Sequence, residues 1–309
     1  MTIRFLAPIA LAPVVAAALL LAGCAPTTPI SAPSTQGPSA VTESAEPPTS
    51  AFDPGFIVSD DSFYDRSAMS ESEIQSFFEG VSCRADAEVV CLADYRETTD
   101  TQPEAGPGHC AEYRGAPRER ASRIVHRVAE VCGVSPRTLI VLLQKEQSLL
   151  TRPTERGYLR ATGYGCPDTA DCDADYFGFF NQVYHAAWQF RQYSELPDRT
   201  YQIGTVNVAF NPDPACGAQP VTIRNQATAN LYNYTPYQPS PATLAAPDTG
   251  DGCSAFGNLN FWRIWHRWFG DPTSERYPGF LPPCTRLIGG DPCTDAPVAI
   301  PTVPAAPAE

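Results

Sequence analysis

Eleven cysteines punctuate this chain, and the first stands apart from the rest. Cys24 closes the segment Leu21-Ala22-Gly23-Cys24, behind a positive Arg4 and an apolar run from Ile9 to Leu21 that only Pro13 interrupts. That pattern predicts an export signal, and a cysteine in place of an Ala-x-Ala-like cleavage site predicts lipidation. As a transmembrane span the run is short for a bilayer core, which needs roughly 20 apolar residues. Cys24 is thus expected to carry the lipid and to hold the mature chain on the outer face of the cell membrane.

Ten cysteines remain: Cys83, Cys91, Cys110, Cys132, Cys166, Cys172, Cys216, Cys253, Cys284 and Cys293. An even number in an exported chain predicts a framework of five disulfides, which restricts the body to a stapled, loop-rich fold. Zinc is the rival reading, but there is no Cys-x-x-Cys pair and the four histidines are scattered. No metal or other cofactor is expected. Short spacings suggest Cys83–Cys91, Cys166–Cys172 and Cys284–Cys293, and the other pairings stay open.

A formal charge of −13 argues against nucleic acid as a partner and against electrostatic adhesion to anionic polymers or headgroups. Affinity for a glycan would have to come from stacking and hydrogen bonds, which the aromatic residues could supply. Residues 1–24 form the signal and lipidated cysteine. Residues 25–50 are Pro, Ser, Thr and Ala with few large apolar side chains, a composition that predicts a disordered tether. The Pro- and Ala-rich end, with the last cysteines, sets off 273–309 as a cystine loop and tail. Between them, 51–116 is expected to be an N-terminal appendage and 117–272 the main domain.

Helix signals dominate the body. Ser70-x-x-Glu73 is a capping box ahead of Ile74, Phe77 and Phe78, with Gly80 as the stop. Ile124, Val128 and Val131 recur at helical spacing before Gly133. Ser135-Pro136 then predicts a capped helix to about Leu150. Further helices are expected over about 183–193, 225–232 and 259–269. Thr205–Phe210 and Val221–Arg224 are β-rich and flank a Gly/Pro/Asn loop, so they predict a hairpin. The expected class is α+β, mainly α, with one small hairpin.

Glu146 is the residue out of place. At about 100° per residue it falls within the arc of Leu139, Leu142, Leu143, Leu149 and Leu150, although Ile140 and Val141 lie outside that arc. Burial of a carboxylate is costly and favours the protonated form, which is what a glycosidic oxygen needs from a general acid. The plainer alternative is a glutamate at the rim of the face, bridged to an arginine such as Arg123 or Arg160.

Glu146-Gln147-Ser148 at a helix end resembles the Glu-Ser motif of the lysozyme-like superfamily, especially soluble lytic transglycosylases and peptidoglycan glucosaminidases. Gly178-Phe179-Phe180-Asn181-Gln182, some 30 residues on, resembles the Gly-Leu-Met-Gln segment that lines the sugar cleft in those families. Ala209-Phe210-Asn211 is similar to their Ala-Tyr-Asn segment, with Phe in place of Tyr and on an expected strand instead of a helix. The likeness covers roughly residues 118 to 240. The body, with Phe52-Asp53-Pro54-Gly55 and Tyr234-Thr235-Pro236-Tyr237-Gln238-Pro239, also resembles a group of exported actinobacterial proteins, some of them labelled haemagglutinin.

The resemblance implies a lysozyme-like domain that cuts the glycan strand of peptidoglycan or another cell-wall glycan. Glu146 would be its acid and base, Gln182 and Asn211 would hydrogen-bond the sugar, and Tyr176 or Tyr234 would stack on it. The competing class is a wall-binding module without catalysis. The loop 164–176 carries Asp168, Asp171, Asp173 and Asp175. A calcium site is conceivable there, but turn-capping aspartates explain the pattern better. Asp175 is the best candidate for a second carboxylate, which glycosidases need and transglycosylases do not. The aromatic set from Phe261 to Phe269 reads as buried packing, and His185 and His266 as ordinary, partly buried histidines.

Overall fold

A computed structural model describes residues 40–275 apart from 87, 168, 169, 197 and 198. Contacts divide the chain into Met1–Gly37 and Pro38–Glu309, and the described residues all fall in the second unit. The signal, Cys24, most of the tether, Cys284, Cys293 and the tail beyond Glu275 lie outside the described residues. Among those described, no helix is long and apolar enough to cross a membrane.

Nine α-helices and two small antiparallel sheets make up the described part, so it is mainly helical with minor β structure. In chain order they are α1 (Asp60–Tyr64), α2 (Glu71–Gly80), β1 (Arg96–Glu97), β2 (Glu119–Arg120), α3 (Ala121–Cys132) and α4 (Pro136–Gln147). Then come α5 (Glu155–Leu159), α6 (Phe179–Glu195), β3 (Gly204–Ala209), β4 (Ala218–Ile223), α7 (Gln226–Tyr234), α8 (Pro241–Ala245) and α9 (Gly257–Phe269). The strands pair as β1 with β2 and β3 with β4.

The expected caps are in place. Ser70 and Glu73 form a reciprocal capping box on α2, and Gly133 ends α3 in the left-handed conformation. Ser135 caps α4 ahead of Pro136. α4 stops at Gln147, short of the expected Leu150, because Ser148 turns left-handed at φ 51°. The Gln144 carboxamide then accepts the Leu150 N–H at 3.2 Å, replacing the missing helical bond. α6 starts four residues before Val183. Gly178 adopts φ 107°, and Glu97 accepts the Phe180 N–H at 2.8 Å, a carboxylate at a helix N-terminus.

α4 is the axis of the core. Leu139, Ile140, Val141, Leu142 and Leu143 are all fully buried, so its middle is apolar on every side. α9 and α3 pack against it. α9 contributes buried Phe261, Trp262 and Trp265, as its aromatic spacing predicts. Residues 51–116 are not a separate appendage: Ile57, Val58, Phe63 and Tyr64 are buried in the same core as α4. Nor is the expected tether free up to residue 50. Ser44 N–H donates to Arg267 O at 2.8 Å, and Glu46 pairs with Arg263 and Arg267 on α9.

Among the described residues, four disulfides join Cys83 to Cys91, Cys110 to Cys132, Cys166 to Cys172 and Cys216 to Cys253, and the expected Cys284–Cys293 pair lies outside them. The first and third match the spacing argument. Cys110–Cys132 and Cys216–Cys253 join elements far apart in sequence, which spacing does not indicate.

Candidate functional site

Glu146 sits where α4 leaves the core. It shares the angular arc of Leu139, Leu142 and Leu143, but the last turn of the helix has emerged by then, and its side chain is 24% exposed. Its partner is neither Arg123 nor Arg160. Lys145 places its ammonium 2.5 Å from Glu146 Oε1, with a side chain only 4% exposed. The same ammonium donates to Thr235 Oγ1 at 3.0 Å. Neighbouring helix residues do not ordinarily face each other; here the long lysine stem reaches the carboxyl at the helix end. Arg123 instead bonds Glu119 at 3.1 Å, and Arg160 lies over the Phe177 ring.

Beside this pair stands a wall made of loop. Gln182, fully buried on the first turn of α6, spends its whole carboxamide on that loop. Its Oε1 accepts the N–H groups of Thr162 (3.2 Å) and Tyr164 (3.1 Å). Its Nε2 donates to the carbonyls of Tyr164 (2.9 Å) and Tyr176 (2.7 Å). Both ends of the 162–176 segment are thereby fixed to one side chain, and Cys166–Cys172 closes the segment between them. Asp173 Oδ1 accepts the Asp175 N–H at 3.0 Å, the turn-capping role expected of these aspartates.

Between this wall, α6 and the end of α7 lies an open cavity of about 530 Å³. Tyr164, Tyr176, Tyr193 and Tyr234 line it, together with Gln189 and Asn233. Gly163 belongs to the wall as well, and a side chain there would meet Glu146 Oε2 at 3.6 Å. Tyr234 donates its hydroxyl to Thr162 O at 2.8 Å. Burial holds that hydroxyl well above the usual phenol range, and the negative charge of Glu146 adds to the effect. Burial also pushes Tyr193 up to about 12, and raises Tyr164 with help from its neighbour Tyr176. Burial thus favours the neutral phenol at Tyr164, Tyr193 and Tyr234. His185, which stacks on Tyr164, donates Nδ1–H to Asn181 O at 2.8 Å, and burial lowers its pKa.

The residues expected from sequence thus separate. Tyr176 and Tyr234 line the cavity, Glu146 adjoins it through Gly163, and Gln182 holds its wall from behind with no amide group left for a sugar. Asp175 is exposed and is not in the lining. Asn211 stands beyond the end of β3, where its Oδ1 accepts the Asp213 N–H at 3.0 Å, a local turn bond. Sequence reasoning missed Gln189 and Tyr193. They follow Gln182 at i+7 and i+11, one stripe of α6, and that polar stripe on an apolar helix was the available signal. Among the described residues, no group of His, Cys, Asp and Glu is placed to hold a metal ion. Comparison of the chain with known protein families, curated proteins and solved structures finds no match.

Proposed function

We propose that this chain cleaves the β-1,4 glycan strand of peptidoglycan, with a lysozyme-like arrangement in which Glu146 is the single acid and base. The observation that carries the reading is the place of Glu146 beside a tyrosine-lined cavity: its Oε2 lies 3.6 Å from where a Cβ on Gly163 would stand, and its charge acts on Tyr234. Glu146 protonates the leaving glycosidic oxygen. It then serves as base, either for the sugar's own C6 hydroxyl, which closes a 1,6-anhydro ring, or for water. The exposed position of Asp175 outside the lining favours the route that needs one carboxylate. Gln182 acts by positioning Thr162, Tyr164 and Tyr176, and Tyr176 supplies a stacking face. The lipid on Cys24 keeps the domain at the outer membrane face, within reach of the wall.

A second reading has one observation in its favour. Lys145 gives an ionised Glu146 a counter-charge, as expected of a wall-binding module that kept the cleft and lost the chemistry. Incubation of the purified protein with peptidoglycan, followed by mass spectrometry, separates the two. Released 1,6-anhydro ends identify a transglycosylase and reducing ends a hydrolase. Co-sedimentation without release overturns the cleavage reading. Glu146→Gln keeps an acceptor for Lys145 and removes the titrating proton, so release should fall by roughly 10²–10⁴-fold with folding retained.

A further inference from the structure

Lys145 is buried further than the carboxyl with which it pairs. Its side chain is 4% exposed and that of Glu146 24%. Three segments meet around its ammonium. The end of α4 carries it, Thr235 just past α7 accepts from it at 3.0 Å, and Gly257 opens α9 beside it. A side chain at residue 257 would stand 3.6 Å from the ammonium and 2.5 Å from Thr235 Cγ2, so the glycine leaves the socket its room. Thr235 is itself held: its N–H donates to Leu231 O at 2.7 Å, and its carbonyl accepts the Asn258 amide at 2.8 Å. The ammonium is therefore fixed from the side of the body, and it meets Glu146 at Oε1. Oε2 is the atom of Glu146 nearest to where a Cβ on Gly163 would stand, at the cavity wall.

We propose that Lys145 is a positioning residue of this site: held by Thr235, it clamps Oε1 of Glu146 and leaves Oε2 as the oxygen that exchanges a proton with the sugar. This rests on the cleavage reading of the same site and adds which oxygen acts and what holds it. A buried ion pair is a poor source of stability, since both charges lose water, and apolar residues of similar size commonly serve as well or better. In the reaction the pair has a use. Oε2 gives its proton to the glycosidic oxygen, the bond from that oxygen to C1 breaks, and Glu146 is left as a carboxylate while positive charge builds at C1. The ammonium stands at the other oxygen throughout, so the new negative charge forms against a fixed positive one without rearrangement. As the C6 hydroxyl oxygen or a water oxygen bonds C1, its proton passes to Oε2 and the acid is restored. The clamp also keeps the carboxyl from turning, which holds Oε2 toward the cavity.

The test measures kcat and KM for fragment release from soluble glycan strands, with the full chain and its variants Lys145→Met, Lys145→Arg and Thr235→Val. Melting temperature is recorded beside each. Lys145→Met keeps an apolar stem and removes the charge, and kcat should fall by about 10–100-fold while KM changes by less than about threefold. Lys145→Arg returns a cation and should recover about tenfold of that loss. Thr235→Val keeps the shape, removes the acceptor and should lower kcat by about threefold to tenfold; it carries the test if Lys145→Met does not fold. An unchanged kcat in the folded variant, a loss that lies in KM, or equal losses in Lys145→Met and Lys145→Arg overturn the assignment and leave cleavage standing. Failure of the cleavage reading looks different. Nitrogen NMR then shows a slowly exchanging Lys145 ammonium that responds to Glu146→Gln, yet the unaltered chain releases nothing. In that outcome the clamp holds a carboxyl that does no chemistry, and the role given to Lys145 falls with it.

Discussion

The body around α4 and the wall around the cavity are held by different forces. The body is a continuous apolar core: five consecutive residues of α4 are fully buried, and α3 and α9 pack against them. The described part of the wall, 162–167 and 170–176, is mostly loop, and it is held by directed bonds: the Gln182 carboxamide, the Cys166–Cys172 disulfide, the Tyr234 hydroxyl bond, and backbone bonds such as Asp173 N–H to Gly165 O. Non-directional burial averages over many contacts and tolerates small errors. Directed hydrogen bonds from a single side chain fail together when it is lost. The site therefore stands on an apolar scaffold but has a lining held by directed bonds, four of them from the single Gln182 carboxamide.

The body should show the largest single effect. Leu139→Ala removes a fully buried side chain from the axis of the core and should cost about 2–5 kcal/mol, read from denaturant unfolding. A cost below about 1 kcal/mol would mean that α4 is not the structural axis and that the contrast with the wall is misplaced.

Next comes a pH effect, also in the body. Asp60 on α1 accepts the Asn225 amide and the Ala227 N–H across to the start of α7, and burial raises its pKa from 3.8 to about 6. The folded state thus holds this proton more tightly than the unfolded state. Its contribution to stability is complete below pH 3.8 and is lost as pH rises through about 6, an order-of-magnitude loss of about 2–3 kcal/mol. Asp60→Asn keeps an acceptor for the N–H groups and should flatten the stability profile between those pH values. An unchanged slope in melting temperature against pH would assign that titration to another group.

In the wall, Gln182→Ala strands the N–H groups of Thr162 and Tyr164 and the carbonyls of Tyr164 and Tyr176. Tyr164 and Tyr176 are only partly buried beside an open cavity, so water replaces most of these bonds and the total cost should stay at about 1–3 kcal/mol. The expected signature is local. Hydrogen exchange at Thr162 and Tyr164 should accelerate well before the amides of α4 respond, and ligand binding should fall with it. Uniform acceleration across both regions would show that the wall is part of the body's cooperative unit.

The same division explains what could be read from the sequence. Helix caps, the Gly133 stop, the hairpin and the buried aromatic helix follow from local chemistry, and each appears within a few residues of its expected bounds. The short α1, α5 and α8 and the β1–β2 pair carry no periodicity long enough to show. Glu146 was legible as an oddity, but its partner was not. Arginines were the natural expectation, whereas burial of the Lys145 stem against Thr235 depends on where a distant segment returns. Gln182 reads in the sequence as a sugar contact and in the structure bonds backbone, because sequence records a carboxamide without saying what it faces. Asn211 was placed by chain order alone, and chain order says nothing about the register of a hairpin end.

The smallest effect on stability, and the sharpest on the junction of the two regions, should come from Gly163→Ala. Gly163 is the wall residue at which an added Cβ would meet Glu146, and its φ of +74° is a conformation that side chains disfavour by about 1 kcal/mol. The added methyl would sit 3.6 Å from Glu146 Oε2, an ordinary contact, so sterics add little to that backbone cost. Stability should therefore drop by about 1 kcal/mol. The methyl would nonetheless cover the side of the carboxyl that borders the cavity and keep a sugar oxygen away from it. Glycan release should then fall far more than the lost stability explains, while co-sedimentation with peptidoglycan falls less. If release and binding decline only in step with stability, the carboxyl does not address the cavity past Gly163, and Glu146 is a partner of Lys145 and nothing more.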